Sequence, residues 1–204
     1  VLLIILQLGA IGVMSIGTFF WLLFGRKIGM RERQLIMIDF NHSNLSGVVH
    51  LLTEIVKILF LIEAIGAFVL SVHLHHYFED WGEAIKHGIF MSISATTNGG
   101  FDLTSHSLQP YHSDYFVQFI VMILILLGAI GFPVLIEVKK FLSREHPQFR
   151  FSLFTKITTS THAILFVIGA AVIWIVEFFH SFRGMPWHEK MFTAMFHSIS
   201  ARSG

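Results

Sequence analysis

The sequence of 204 residues contains no cysteine. Disulfide bonds, thiol chemistry and cysteine-ligated metal sites are therefore excluded. Charged residues are scarce at 13% of the chain, whereas hydrophobic residues make up 54% and the mean hydropathy is positive. Soluble domains carry about 25% charged residues, so the composition predicts an integral membrane protein.

Several familiar motifs are also missing from the chain. There is no HExxH and no GxSxG, which argues against a membrane enzyme. There is no TVGYG, so the chain lacks the filter signature of an ordinary tetrameric potassium channel. An initiator methionine is absent too: Val1 lies within a hydrophobic run, and we expect the chain to be an internal fragment of a longer protein.

Four hydrophobic segments are long enough to cross ~30 Å of hydrocarbon as helices, which predicts an all-α polytopic membrane protein. Two further apolar helices are too short to cross and reach only the middle of the bilayer. Gly131 and Pro133 predict a kink in the third long segment. In chain order we expect a transmembrane helix at 1–24, a linker at 25–47, a transmembrane helix at 48–74, a short helix at 83–96, a transmembrane helix at 115–138, a loop at 142–156, a transmembrane helix at 157–178 and a short helix at 189–201.

The distribution of basic residues favours one orientation in the membrane. The loops after the first and third long segments hold nine lysines and arginines, whereas the segments that carry the short helices hold four. Basic loops stay in the cytoplasm. We therefore expect 25–47 and 139–156 to be cytoplasmic, and both short helices to enter the membrane from outside.

The stretch from Ser92 to Asp102, SISATTNGGFD, lies between two long hydrophobic segments. Its NGG tripeptide ends the short helix abruptly, because glycine adopts backbone conformations that other residues resist. Irregular backbone inside a bilayer is tolerated only where it is buried in protein or lines a water-filled cavity. The pattern predicts a re-entrant pore helix and loop, with an ion filter at 97–101.

An internal repeat relates the two short helices. Trp187 follows Trp81 by 106 residues, and the same offset joins seven identities, at 81, 83, 90, 92, 93, 94 and 95. The pentapeptide LGAIG at 8–12 also recurs at 127–131. The repeating unit is a span, a short helix with its loop, and a second span. The chain then holds the end of a first unit, a complete second unit at 48–141 and part of a third at 157–204, all pointing the same way, as in a pore.

These motifs resemble the units of the Trk/Ktr/HKT superfamily of potassium transporters, and most of all the KtrB-type membrane subunit of Ktr systems. The resemblance rests on LGAIG with the basic FGRKIGMRERQ after it, LSG at 45–47, FMSISATTNGGF at 90–101 and FHSISARSG at 196–204. It implies four units in one polypeptide around a pseudo-fourfold pore axis, each with one filter glycine. It also implies potassium uptake, no bound cofactor, a homodimer on a cytosolic KtrA/TrkA-like nucleotide-binding ring, and no nucleic-acid partner.

The resemblance assigns the ion-binding residues. In the second unit the filter is implied to consist of Thr97, Asn98, Gly99 and Gly100, with Gly100 as the filter glycine. In the third unit Ser203 and Gly204 match the start of the filter at 202–204. The C-terminus of a pore helix carries about half a negative charge, which favours a cation, and the carbonyls that follow can replace its water shell. We expect Arg202 to point behind the filter and to contact a carboxylate or carbonyls.

Other polar residues leave two interpretations each. Glu63 lies deep in a hydrophobic segment, either as a functional carboxylate or as a structural hydrogen-bonding group. The cluster HLHH at 73–76 is either a metal site or the polar end of a helix at the membrane interface. Asp102 either concentrates cations at the outer mouth or caps a turn.

Three classes of function follow from these features. A potassium-specific pore is favoured, with a sodium-permeable or sodium-coupled transporter of the same fold as its alternative. A membrane enzyme would rely on Glu63, His73, His75 and His76. A scaffold would use the short helices as interfacial segments, which usually carry a basic face, whereas 88–96 has no charge.

Overall fold

The computed structural model describes residues 2–11, 48–103, 108–143 and 150–203. Within these ranges the chain is helical and forms no strand. The helices are α1 (Leu2–Ile11), α2 (Val48–Leu74), α3 (Trp81–Thr96), α4 (Tyr115–Ala129), α5 (Phe132–Leu142), α6 (Leu153–Glu177) and α7 (Trp187–Ser203), with a 3-10 turn at Gln109–Tyr111. Most of the expected first span and its linker lies outside the described residues.

Two of the described helices are long and apolar enough to cross a membrane. They are α2, over Thr53–Leu74, and the whole of α6. The pair formed by α4 and α5 is a third candidate if it is counted as one bent span. These helices agree with the expectation of an integral membrane protein.

The pair α4–α5 shows how glycine and proline shape a span. Gly131 has a φ of +92°, which ends the helical ladder, and Pro133 lies in the first turn of α5, where its missing N–H costs nothing. The two helix axes differ in direction by 106°. The kink expected from Gly131 and Pro133 is therefore a sharp corner between two separate helices.

Small residues let α2 and α3 approach closely. A side chain on Gly88 would meet the backbone of Ser71, and one on Gly66 would meet the hydroxyl of Ser92. Such contacts between small residues are typical of helix pairs in membranes. The apolar core that holds α2, α3 and α4 together consists of Leu70, Leu74, Ala95, Tyr111, Val117, Val121 and Leu124.

The third unit repeats this arrangement beside the second. α7 packs against α6 as α3 packs against α2, and α7 also packs against α4. The described structure therefore contains two adjacent pairs of a long helix and a short helix.

Candidate functional site: the loop after α3

The short helix α3 ends in a Schellman motif, the hydrogen-bonding pattern that commonly closes a helix C-terminus. The N–H of Gly99 donates to the carbonyl of Ser94 at 2.9 Å, and the N–H of Asn98 donates to that of Ala95 at 3.2 Å. Asn98 takes the left-handed conformation that this motif needs, with φ +54°. Asparagine is one of the few residues other than glycine that adopts it readily.

The loop then turns back onto the helix that it follows. Gly100 has a φ of +66°, a second left-handed position close to the first. The hydroxyl of Ser94 donates to the carbonyl of Phe101 and so fixes the return. The carbonyls from Thr97 to Gly100 lie between these two fixed points, on the segment that was predicted to form the filter.

Helix α4 supports the loop from behind. A side chain on Gly128 would collide with the carbonyl of Thr96 and lie 2.9 Å from the side-chain amide of Asn98, so only glycine permits this approach. With its amide in the orientation that satisfies both groups, Asn98 donates to the carbonyl of Ile125 and accepts from the N–H of Ala129, both at 3.3 Å. The loop is therefore anchored to two helices.

Helix α1 approaches the same loop. A side chain on Gly99 would lie 2.5 Å from the methyl carbon Cδ2 of Leu6. Gly99 thus has a packing role, whereas Gly100 has a conformational one. Among the predicted filter residues, Thr97, Asn98 and Gly99 are half-buried and Gly100 is exposed.

One serine contact fixes each short helix to the long helix before it. The hydroxyl of Ser92 donates to the carbonyl of Glu63 at 2.8 Å, and that of Ser198 donates to the carbonyl of Phe166 at 2.9 Å. Each serine also lies against a glycine three residues further along the long helix, Gly66 or Gly169. The serines belong to the repeated SIS motif, so the repeat in the sequence corresponds to a repeated contact.

The third unit is described only as far as its helix. Arg202 and Ser203 lie in the last turn of α7, and Gly204 lies outside the described residues. The guanidinium of Arg202 donates to the carbonyl of Ser198 at 3.0 Å and to that of His162, on α6, at 3.4 Å. Arg202 thus contacts carbonyls, which was one of the two kinds of partner expected for it.

The three histidines of HLHH take part in separate contacts. His73 Nε2 lies 2.7 Å from Oδ2 of Asp114, and the ring of His75 stacks on Trp81 with centroids 3.8 Å apart. The ring of His76 lies 5.9 Å from that of His73. In the described parts of the chain, no group of three histidine, cysteine or acidic residues is arranged to hold a metal ion.

Asp114 organises the end of α4 where these histidines lie. Its carboxylate caps the helix by accepting from the N–H groups of Phe116 and Val117, and it accepts from the hydroxyl of Tyr77 at 2.8 Å. Burial raises the pKa of Asp114, but the bonds from His73, Tyr77 and Val117 outweigh it and hold that pKa below its usual value. The bond to Asp114 also raises the pKa of Tyr77 to about 12.

Glu63 forms a hydrogen bond with a neighbouring helix. Nε2 of Gln7, on α1, donates to Oε2 of Glu63 at 2.8 Å. The structure therefore shows the structural contact that was one of the two interpretations of Glu63. Asp102 is half-buried in a small apolar pocket that also contains His87 and Tyr111.

Three residues that support the loop were not predicted as site residues from the sequence. Ser94 holds the return of the loop, Ser92 docks α3 on α2, and Gly128 allows α4 to approach Thr96. The repeated SIS motif was the available signal for the serines. Gly128 was noted only within the repeated LGAIG pentapeptide, because its contact partner is distant in sequence.

Comparison with known proteins identifies the family. The model of the TrkH family, described as "Cation transport protein", matches residues 1–204. The chain is 49% identical to Ktr system potassium uptake protein D of Bacillus subtilis, over 100% of this chain and 45% of that protein. It is 31% identical to Ktr system potassium uptake protein B of the same organism, over 98% and 44%.

A further relative widens the range of ions. The chain is 30% identical to the potassium/sodium uptake protein NtpJ of Enterococcus hirae, over 85% of this chain and 37% of that protein. The chain thus spans less than half the length of these relatives. They are transporters and not enzymes, and the apolar helices mark an integral membrane protein. The chain belongs to the TrkH family of cation transport proteins.

Proposed function

We propose that the chain forms part of a potassium uptake system in the cytoplasmic membrane, as the ion-translocating subunit of a Ktr/Trk-like transporter with a P-loop type pore. Potassium is proposed as the transported ion because the two Bacillus subtilis relatives are named as potassium uptake proteins. The proposed route of the ion is based on the structure of the loop after α3.

The observation that carries the pore proposal is the construction of this loop. A short helix ends at a Schellman motif, and left-handed positions follow at Asn98 and Gly100. The helix end supplies about half a negative charge, and the carbonyls of Thr97, Asn98, Gly99 and Gly100 can replace water around a potassium ion. In the third unit Ser203 and Gly204 would contribute the equivalent positions.

The repeated serine contact supports the pseudo-fourfold arrangement. Ser92 and Ser198 dock two short helices in the same way on two successive long helices. Four such units around one axis would bring four helix C-termini to a common ion path. We propose that the basic loops 25–47 and 139–156 are cytoplasmic and that the short helices enter from outside.

The filter is tested by replacing Gly100 with serine in the intact protein. A side chain at φ +66° is strained by about 1–2 kcal/mol, and we expect potassium flux into liposomes to lose selectivity or to fall at least tenfold. Gly184→Ser is the matched control, because Gly184 has φ +88° and open space around it, in the turn between α6 and α7.

The comparison of flux in the two variants distinguishes a glycine in an ion filter from a glycine that is needed only for a turn with positive φ. Loss of selective flux in Gly100→Ser, with Gly184→Ser unaffected and both proteins folded, is the expected result. Equal flux and selectivity in Gly100→Ser and the unmodified protein would refute the filter assignment. Residues 1–204 alone, with only part of the four units, are expected not to conduct.

The second part of the proposal concerns the partner proteins of this chain. The names of the two Bacillus subtilis relatives assign them to a Ktr system, and we propose a homodimer that binds a cytosolic nucleotide-binding ring of the KtrA/TrkA type. Addition of such a ring to the liposomes is expected to increase potassium flux. An unchanged flux with a ring that binds would argue against this regulation.

A sodium-permeable or sodium-coupled transporter is the second candidate. It is favoured by the 30% identity to the potassium/sodium uptake protein of Enterococcus hirae. The ratio of potassium to sodium flux in the same liposomes distinguishes the two, and potassium selectivity is the expected outcome.

A further inference from the structure

Glu63 and Gln7 form a buried pair in which two oxygen atoms lack a partner among the residues that the structure describes. Only 4% of Glu63 is exposed, in the apolar middle of α2. Gln7 Nε2 donates to Oε2 of Glu63 at 2.8 Å. The remaining oxygens, Oε1 of Glu63 and Oε1 of Gln7, are buried and accept no hydrogen bond within the described residues.

An ionised Glu63 would be an isolated charge at this position. Within the described residues, most charged groups of the elements packed around it bond elsewhere: Lys57 and Lys139 with Glu54, His73 with Asp114, Lys86 and His87 with Glu83, and Glu137 with Ser152. The other two, His50 and Lys140, are exposed. The described part of α1 and all of α4 contain no charged residue. A buried carboxylate without a cation is strongly unfavourable, and each unpaired oxygen adds to that cost.

A single proton on Glu63 would remove the buried charge and would also provide a hydrogen bond for the unpaired oxygens. A neutral carboxyl group has an O–H donor, and the unpaired oxygen of Gln7 is an acceptor on the side chain that already bonds to Glu63. A carboxylic acid and a primary amide can then exchange two parallel hydrogen bonds. We propose that Glu63 is a buried proton-binding site, in which Oε1–H donates to Oε1 of Gln7 while Nε2 of Gln7 donates to Oε2.

A metal ion fits the same oxygens less well. Hard cations take about six or more oxygen ligands, and this pair offers two unpaired ones. A proton needs only one donor position and one acceptor position. The site therefore takes a proton in preference to sodium or potassium.

The position of this proton links it to the candidate pore. The backbone carbonyl of Glu63 accepts from the hydroxyl of Ser92, which is fully buried on α3. The site thus lies where α1, α2 and the short helix meet. Removal of the proton would place a negative charge at that junction, and the neutral state keeps the three helices packed.

The proposal is tested by infrared spectroscopy of the intact protein in lipid at neutral pH. A protonated acid has a carbonyl stretch that a carboxylate lacks and that shifts in D2O. We expect this band in the unmodified protein and its loss in Glu63→Gln. Glu54→Gln is the matched control, because Glu54 is paired with Lys57 and Lys139 and should not contribute to the band.

Exchange of the two side chains provides a further test. In the double variant Gln7→Glu/Glu63→Gln the acid and the amide change places, and we expect the band to return. Potassium flux in Glu63→Gln should stay within about twofold of normal, because an amide pair preserves both hydrogen bonds and remains neutral.

Four results would overturn the proposal. One is the absence of the band at neutral pH in the unmodified protein. Another is a band that persists in Glu63→Gln. The third is a band that disappears when sodium or potassium is added, which would identify a cation site instead. The fourth is a tenfold loss of flux in folded Glu63→Gln, which would show that a neutral hydrogen-bonded pair is not sufficient at this position.

Discussion

The two pairs of long and short helices use the same serine contact but pack with different closeness. Between α2 and α3, Gly88 lies directly against the backbone of Ser71. At the equivalent place between α6 and α7, Ala194 and Trp174 line an open pocket of about 230 Å³. The serine contact is therefore the common element of the unit, and the closeness of the helices varies around it.

Side-chain size explains this difference. The offset of 106 between the short helices pairs Gly88 with Ala194. The serine contacts relate the long helices at an offset of 103, which pairs Ser71 with Trp174, so both positions carry a larger side chain in the second pair. Helices with small residues at their contact can approach until their backbones touch. Here the larger side chains line an open pocket between α6 and α7 beyond the serine, while Gly169 still touches Ser198.

Replacement of Gly88 with alanine should have the largest effect on this comparison. The new Cβ would lie 2.7 Å from the backbone N and 2.9 Å from Cα of Ser71, and a backbone cannot move aside cheaply. We expect a loss of about 1–3 kcal/mol in the free energy of unfolding, measured by denaturation in lipid micelles. In the third unit, Ala194→Gly should cost about 1 kcal/mol or less, through helix propensity alone. Equal losses of unfolding free energy in Gly88→Ala and Ala194→Gly would show that the two helix pairs do not differ in how closely they pack.

The glycines beside the two serines should give a smaller difference. A side chain on Gly66 would meet the hydroxyl of Ser92 and both terminal methyl carbons of Leu124, at 2.8 and 2.9 Å. A side chain on Gly169 would collide with the hydroxyl of Ser198 alone. In both alanine variants we expect the free energy of unfolding to fall by about 1 kcal/mol, because the serine hydrogen bond is lost. The decrease should be larger in Gly66→Ala, because the new side chain also meets Leu124. If denaturation in lipid micelles showed a greater loss of unfolding free energy in Gly169→Ala than in Gly66→Ala, the proposed difference between the two helix pairs would be contradicted.

The smallest expected effect concerns Asp114, which contacts His73 at the end of α2. The serine contacts relate α2 to α6 at an offset of 103 residues, which places Val176 at the position of His73, and valine cannot bond to a carboxylate. The pKa of Asp114 is lowered in the folded protein. Its stabilisation is therefore present above its ordinary value of 3.8 and is lost as the pH falls through the lower folded value.

The measurement compares Asp114→Asn with the unmodified protein across this range of pH. We expect a difference of roughly 1 kcal/mol or less at neutral pH, which vanishes in acid. Asp80→Asn is the control, since Asp80 precedes α3 without a capping hydrogen bond from its side chain. A difference that grows on acidification would show that the folded protein favours the protonated form of Asp114, contrary to its hydrogen bonds.

Much of the helical layout could be predicted because hydrophobic length and charge are local properties. The segment 48–74 was expected as a span and coincides with α2. The 106° corner at Gly131 was expected only as a kink, because no sequence pattern measures how far a glycine with positive φ turns the chain. The seven identities at one offset predicted the repeat but not the serine contact beneath it.

The loop shows the limits of sequence reasoning more clearly. The NGG tripeptide predicted a sharp helix end, and Asn98 and Gly100 do take left-handed conformations. The contacts of Gly128 with Thr96 and of Gln7 with Glu63 join residues far apart in the chain. No local pattern identifies such partners, because they depend on how the helices pack. The ion-binding role of 97–100 stays a prediction.

The corner between α4 and α5 has a consequence for the lipid around the protein. α4 has 15 residues, which at 1.5 Å per residue gives a length of about 22 Å. A hydrocarbon layer of ~30 Å is thicker than this, so the membrane must thin beside α4 or water must reach up to the half-buried corner. Either adjustment would leave a thinner layer of hydrocarbon at this corner than in the surrounding bilayer.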